Sequence, residues 1–430
     1  MTDAGPTEFE PLNPSGSSVR SSVARIGVAT AISAICGYTV LYLAARELGP
    51  ASFSVFAVFW GAFGLVTGAA NGLLQETTRE VRLSLAQRER SPLATTLPIR
   101  IAIAFAIASA IGIVGTAPLW AAHVFTEFRW LSVALLAGGL AGFCMHATTL
   151  GALAGSNRWT QYGVLMVTDA GIRLVVAVVT FVATIGLVGY LWATVAGSMS
   201  WLLLTAVSKP TREALTVPAL VDTMEFLRGA RHSIAAAAAS AVLVMGFPVL
   251  LQSTTGDLGP TGGVVILAVT LTRAPLLVPL TALQGNLIAH FVDERDRRLS
   301  ALITPAAIII GVGAVGIALA TTVGPWLLRT VFDPAYQAGG PLLGWLTAGA
   351  VMIALLTLTG AATVAHARHL AYSAGWVGAT VVSALLLLLP LSLEVRTVIA
   401  LIVGPVVGMV VHVAALAFWR DPETDEDIID

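Results

Sequence analysis

Apolar residues fall in blocks of about twenty, separated by short polar turns, from residue 25 to residue 419. A block of roughly 20 apolar residues spans the hydrocarbon core of a bilayer as a helix. Twelve such blocks stand at 25–45, 52–75, 98–117, 130–153, 162–184, 187–207, 233–255, 264–290, 301–323, 341–363, 372–390 and 397–419. Backbone polar groups in lipid must be paired within the segment, which leaves helices for segments of this length. The pattern predicts an all-α integral membrane protein of about 12 transmembrane helices. The first 24 residues are polar and rich in Pro, Ser and Gly, and are expected to be disordered. No basic stretch, short apolar run and small-residue cleavage site stand there, so no cleaved signal peptide is expected. Residues 420–430 form an acidic tail.

The blocks repeat. Glu47-Leu48-Gly49-Pro50 follows the first span and Asp257-Leu258-Gly259-Pro260 follows the seventh. Arg158 and Tyr162 recur as Arg368 and Tyr372, and Pro118 with Val124-Phe125 recurs as Pro325 with Val331-Phe332. Six spans is an even number, so both copies point the same way across the membrane. Two pseudo-symmetric six-helix bundles, residues 25–207 and 233–419, are therefore expected, related by an axis along the membrane normal. Residues 208–232 join them. Within that join, residues 214–227 mix apolar and charged positions as a short helix lying on the inner leaflet would, interrupted near Pro218. A plain tether fits the same residues.

Charge sets the orientation. Only 11% of residues are charged, against about 25% in a soluble protein. Of the 23 basic residues, Arg46, Arg129, Arg329 and Arg396 fall on one side, and Arg173 and Arg273 within spans. All the others gather on the side of the termini. Lys and Arg mark the cytoplasmic side, so both termini are expected in the cytoplasm. The net charge of −1 gives no reason to expect a nucleic-acid partner. Cys36 and Cys144 both lie inside apolar spans and read as small packing residues rather than a disulfide.

Two stretches resemble a known family. Residues 45–57, Ala45-Arg46-Glu47-Leu48-Gly49-Pro50 followed by Phe53-Ser54-Val55-Phe56, look like the R-x-L-G-P-x-x-(F/Y)-G-x-F turn of the polysaccharide-export flippases. Residues 328–338, with Val331-Phe332-Asp333-Pro334-Ala335-Tyr336, are similar to that family's L-x-x-(L/V)-F-G-P-x-Y-x-x-A segment. Ser54 and Asp333 stand where the family usually has glycine. These flippases belong to the superfamily of multidrug, oligosaccharidyl-lipid and polysaccharide exporters. The resemblance implies twelve spans in two lobes, alternating access, and a lipid-linked saccharide as cargo. Both motifs are architectural, and drug exporters share the superfamily.

Charges inside spans mark candidate chemistry, because each costs at least about 2.5–3.5 kcal/mol at mid-bilayer on insertion scales. Span five carries Asp169 and Arg173 one turn apart. At 1.5 Å per residue, Arg173 lies roughly 16 Å into its span and Arg273 roughly 14 Å into span eight. The two guanidiniums are thus expected at similar depth in opposite lobes. Arg forks match phosphate oxygens in pairs, so Arg273 and Arg173 are the expected grip on a polyprenyl pyrophosphate. Simpler roles stand beside this one. Asp169 can neutralise Arg173 or carry a proton, and Arg273 can bond a carbonyl freed by Pro275 or Pro279. Asn71, Gln75 and Glu76 occupy places equivalent to Gln284, Asn286 and His290 and could line an inward gate or bind sugar hydroxyls. They serve equally as helix–helix hydrogen bonds. His146 reads as a core histidine. Gly37, Gly246 and Pro248 are helix breakers that would let spans one and seven flex.

No phosphate-binding loop, paired metal-ligand motif or nucleophile elbow is present, so neither an enzyme nor a cofactor is expected. The sequence reads as a monomeric flippase for lipid-linked saccharide precursors in the bacterial inner membrane, in contact with membrane lipid. The rivals are a cation-coupled exporter of small amphiphiles and a non-transporting scaffold for envelope assembly.

Overall fold

A computed structural model describes residues 16–87, 96–294 and 299–418, with backbone alone at 16–24, 87, 282, 284–286 and 289. Arg88, Arg90, Arg295, Arg297, Arg298 and Arg420, counted above for orientation, and the tail 420–430 lie outside the described residues. Among these residues the fold is all helix, apart from one isolated bridge between Thr96 and Ala219.

The first two blocks form one bent element, α1 (Gly16–Gln87), which turns at Gly49, where φ is +64°. Only glycine adopts that region at little cost, and Pro50 follows because its missing N–H has no partner at a helix start. The two arms, 16–48 and 50–87, carry the first two spans. Helix α1 begins at Gly16, inside the segment expected to be disordered. Then come α2 (Pro98–Val124), α3 (Arg129–Gly155), α4 (Trp159–Ala183), and a sixth span built of α5 (Leu187–Ala196), a 3-10 turn and α6 (Ser200–Val207). After the short α7 (Lys209–Leu215), the second lobe holds α8 (Thr223–Val244), α9 (Phe247–Thr255), α10 (Gly259–Asp293), α11 (Ser300–Thr322), α12 (Gly324–Leu327), α13 (Gly340–Ala365), α14 (His369–Leu386) and α15 (Leu393–Phe418). With α1 counted as two spans and α8–α9 as one, twelve spans result, in two bundles.

The backbone carries the repeat. Gly49 and Gly259 both have positive φ, as do Asn157 and Ala367. Arg158 and Arg368 begin their helices with φ/ψ of −93°/59° and −97°/61°. The stretch 214–227, expected as a short surface helix interrupted near Pro218, is divided there between two helices. Leu215 ends α7, Ala219 donates its N–H to the Thr96 carbonyl at 2.8 Å, and Asp222 caps α8 through the Glu225 N–H. Pro218 and the Asp222 cap explain the break: proline cannot continue a helix and aspartate starts one.

Two seams join the lobes. The second arm of α1 packs along α8, where a Cβ at Gly68 would strike Ala241 and one at Gly72 the backbone of Ile234. Helix α10 meets the Gly49 turn, where a Cβ at Gly263 would run into the Pro50 carbonyl, and runs beside the first arm at Gly37, Tyr38 and Leu41. From Gly262 to Val269, α10 is wholly buried, whereas beyond Arg273 its burial is broken. The first arm shows the same gradient, with Val40, Leu41, Ala44 and Ala45 buried and most of residues 25–39 at least partly exposed. This seam is tight on the face carrying the Gly49 turn, here called the motif face, and looser toward the opposite linker face.

The two family-like stretches meet on the motif face. Arg46 Nη1 donates to the carbonyls of Val331 (2.9 Å) and Phe332 (3.3 Å), and the Tyr336 hydroxyl donates to the Ala45 carbonyl (3.0 Å). Tyr42 stacks edge-on against Phe332, and Phe53 against Tyr336. Glu47 ties the same turn to the sixth span through the Gly186 N–H and the Tyr190 hydroxyl.

Candidate functional site

The site begins with a break in span seven. Helix α8 ends at Val244 and α9 restarts at Phe247, with the two axes bent by 62°. The Val244 carbonyl would ordinarily accept from the N–H four residues on, but that residue is Pro248. Arg273 reaches across from α10 to fill this gap. Its Nη1 donates to the carbonyls of Val244 (3.1 Å) and Leu243 (3.4 Å), and its guanidinium lies over the Phe247 ring at 5.0 Å. A cation at a helix C-terminus is stabilised by the helix dipole and the last carbonyls.

That leaves the other edge of the fork. Nε and Nη2 of Arg273 are buried with no acceptor among the described residues. These two N–H groups lie side by side and are the pair that grips two oxygens of one anion together. Arg273 lines a cavity of about 310 Å³ between the lobes. The first lobe contributes Gly37, Tyr38 and Trp60, and the second Phe247, Pro248 and Thr270. The lining is chiefly apolar, with Tyr38, Thr270 and Thr281 as further polar groups. Such a chamber suits a ligand with an anionic group on an apolar or amphiphilic body.

Arg173 sits differently. Its Nε and Nη2 are held by the Asp169 carboxylate at 3.0–3.2 Å, and its Nη1 donates to the Thr194 carbonyl at 2.8 Å. The two side chains are 15% and 18% exposed and press on Gly197, where a Cβ would overlap both. Arg173 and Asp169 are not among the residues lining the Arg273 cavity. The two arginines are thus not brought to one chamber.

The remaining candidates disperse. Asn71 is half-buried and Gln75 exposed, and neither lines the cavity. Glu76 is buried against α8, where it accepts from Ser233 Oγ at 3.3 Å. Gln284 and Asn286 lie on α10, but their side chains are outside the described residues. His290 is exposed beside Phe291. His146 is a core residue, bonded through Nδ1 to Ser200 Oγ at 3.0 Å and stacked on Phe143. Sequence reasoning missed Tyr38 and the Val244 carbonyl. Tyr38 carries a signal in retrospect, since it occupies the repeat position of Pro248.

No family model matches the chain. In fold it is similar to a multidrug resistance MATE family transporter of the MOP superfamily in an inward-facing conformation, with a TM-score of 0.70 at 14% identity over 88% of this chain and 94% of that one. It is also similar to a MOP superfamily transporter from Pyrococcus furiosus, with a TM-score of 0.65 at 14% identity over 92% and 96%. That protein is described as having a binding pocket of reverse polarity suggesting a different function. In sequence, the uncharacterized protein Mb3654 of Mycobacterium bovis is 64% identical over 422 residues, 97% of either chain. The uncharacterized proteins Rv3630 and Rv1510 of Mycobacterium tuberculosis are 63% and 60% identical, each over 97% of this chain and over 97% and 95% of their own lengths. With the fold of a MATE transporter and identity of this extent along its whole length, the chain belongs to the family of these mycobacterial proteins.

Proposed function

We propose that this protein is a flippase for lipid-linked saccharide precursors, carrying a polyprenyl-phosphate or pyrophosphate head group across the membrane by alternating access. One observation carries the reading: the paired Nε and Nη2 edge of Arg273 is buried, without an acceptor among the described residues, in a cavity between the lobes. A buried donor pair without acceptors costs free energy that an anionic ligand recovers. The phosphates bind that edge beside Tyr38, and the saccharide extends into the interlobe space. The lipid tail stays in the bilayer, where α1 and α10 pack least closely on the linker side. By the distribution of basic residues the linker face is cytoplasmic, both termini are inside, and the membrane is the bacterial plasma membrane. Arg173, neutralised by Asp169, serves the first lobe as a fixed crosspiece rather than as a second grip. Asn71, Gln75, Gln284 and Asn286 are the proposed contacts for sugar hydroxyls.

The test is Arg273→Ala in cells. Insertion and folding are expected to persist while lipid-linked saccharide accumulates on the cytoplasmic leaflet and surface glycan falls. Normal surface glycan from that variant would remove Arg273 from the mechanism. The rival is an exporter of small amphiphiles, favoured by the multidrug resistance role of a fold neighbour. It is separated by the cargo that builds up on deletion: amphiphilic drugs for an exporter, lipid-linked sugars for a flippase.

A further inference from the structure

A second buried polar group lies on the other seam, beyond the linker-side end of span two. Glu76 and Glu80 are 3% and 1% exposed, and one guanidinium serves both. Arg79 Nη2 donates to Glu76 Oε1 at 2.6 Å and lies 2.9 Å from Glu80 Oε1. Arg79 itself is 58% exposed, so solvent weakens its hold on either acid. The second oxygen of Glu76 accepts from Ser233 of α8. Among the described residues, the second oxygen of Glu80 is buried and meets no donor, and the Thr77 hydroxyl one turn earlier is also buried and unpartnered. Two buried carboxylates with one shared cation leave a single excess negative charge out of water.

Among the described residues, Arg79 is the cation paired with these acids. Helix α8 presents Glu225, whose charge acts on both Arg79 and Glu80, while its Arg228, Arg231 and His232 are exposed to solvent. Helix α3 packs on Thr77 and Val81 through Gly151 and Gly155, and past Arg129 its only titratable side chains are Cys144 and His146, the latter turned to Ser200. A buried carboxyl with an unmet oxygen beside other acids favours its neutral form, in which the same oxygen becomes a donor. We propose that Glu80, steadied by Glu76, Arg79 and Thr77, is a proton-binding site on the seam between the lobes. The proton is held while the second arm of α1 is packed on α8. When the lobes part there, water reaches Glu80 and the proton leaves, which ties lobe movement to proton movement. The carboxyl O–H bond breaks and the proton passes to water, with no other reactant required. This site does not depend on the anion reading of Arg273.

The test uses the full chain in lipid nanodiscs. Infrared spectra near neutral pH are expected to show a protonated carboxyl C=O band that is lost in Glu80→Gln and retained in Asp169→Asn. A proton held only in the folded state also makes wild-type stability fall as pH rises from about 5 to 8, because a free glutamate has its pKa near about 4.3. Glu80→Gln, the neutral mimic, should melt at a temperature that is level over that range. A wild-type spectrum without the band, or one unchanged by Glu80→Gln, would overturn the proposal. So would a melting temperature raised by sodium over choline in wild type but not in Glu80→Gln, because the ligand would then be a metal ion.

Discussion

Arg173 and Arg273 are two solutions to one problem, a guanidinium buried in a membrane helix. Each lies over a phenylalanine, Phe63 for Arg173 and Phe247 for Arg273. Each donates Nη1 to a backbone carbonyl on a neighbouring helix, Thr194 or Val244. They part at the remaining edge. In the first lobe Asp169 accepts from Nε and Nη2; in the second those nitrogens have no acceptor among the described residues. The protein's own carboxylate thus displays, on one arginine, the kind of partner the other is shaped to take. What differs is the neighbour one turn away: Asp169 precedes Arg173 by four residues, whereas Val269 precedes Arg273.

The largest effect expected from this contrast falls on transport. Hydrogen bonds to charged groups contribute about 1.5–3 kcal/mol. Arg273→Ala should therefore weaken cargo binding by on the order of 10- to 100-fold, read by titrating lipid-linked saccharide onto purified protein. Stability is expected to change less than transport. Next is Asp169→Ala, which strands Arg173 and should destabilise the first lobe by up to about 3–5 kcal/mol, the range for breaking a buried pair, less some relief from residual exposure. Thermal melting in lipid would show it. Replacing both with apolar residues of similar size, Asp169→Leu with Arg173→Met, should recover most of that loss. If the double variant stays stable but loses transport, Arg173 is a grip after all and the contrast fails.

Smaller effects sharpen the second lobe's half of the comparison. Pro248→Ala restores an N–H that competes for the Val244 carbonyl. It should lessen the 62° bend and loosen Arg273, seen as a changed spin-label distance across α8 and α9. Tyr336→Phe deletes one hydrogen bond of the motif-face clasp. It should cost about 0.5–1.5 kcal/mol and raise labelling of an Ala57→Cys reporter in the cavity from that face.

Much of this was legible in the chain. The twelve spans follow from apolar block length, a property each helix carries by itself. The repeat was visible because Gly49 and Gly259 are both held at positive φ, a backbone demand that few side chains meet. The pairing of Asp169 with Arg173 was open to view, since four residues is one helical turn. The partner of Arg273 was not. Sequence reasoning looked to carbonyls freed by Pro275 and Pro279 on its own helix, but the carbonyl lies on α8 and was freed by Pro248. An acceptor on a backbone has no residue type to announce it. For the same reason the meeting of Arg46 with Val331 and Phe332 was invisible, although both stretches had been singled out separately. The start of α8 was displaced from the apolar block because an Asp222 cap, not hydrophobicity, decides where that helix begins.

The glycine stripe of α1 has a mechanical consequence. Where Gly68 and Gly72 meet α8, two smooth cylinders touch almost backbone to backbone, with no teeth to be drawn apart before they can turn. Such a surface behaves as a bearing. It lets one half roll on the other without the repacking that interlocked leucines would impose, so the resistance to motion sits in the few polar clasps at either end.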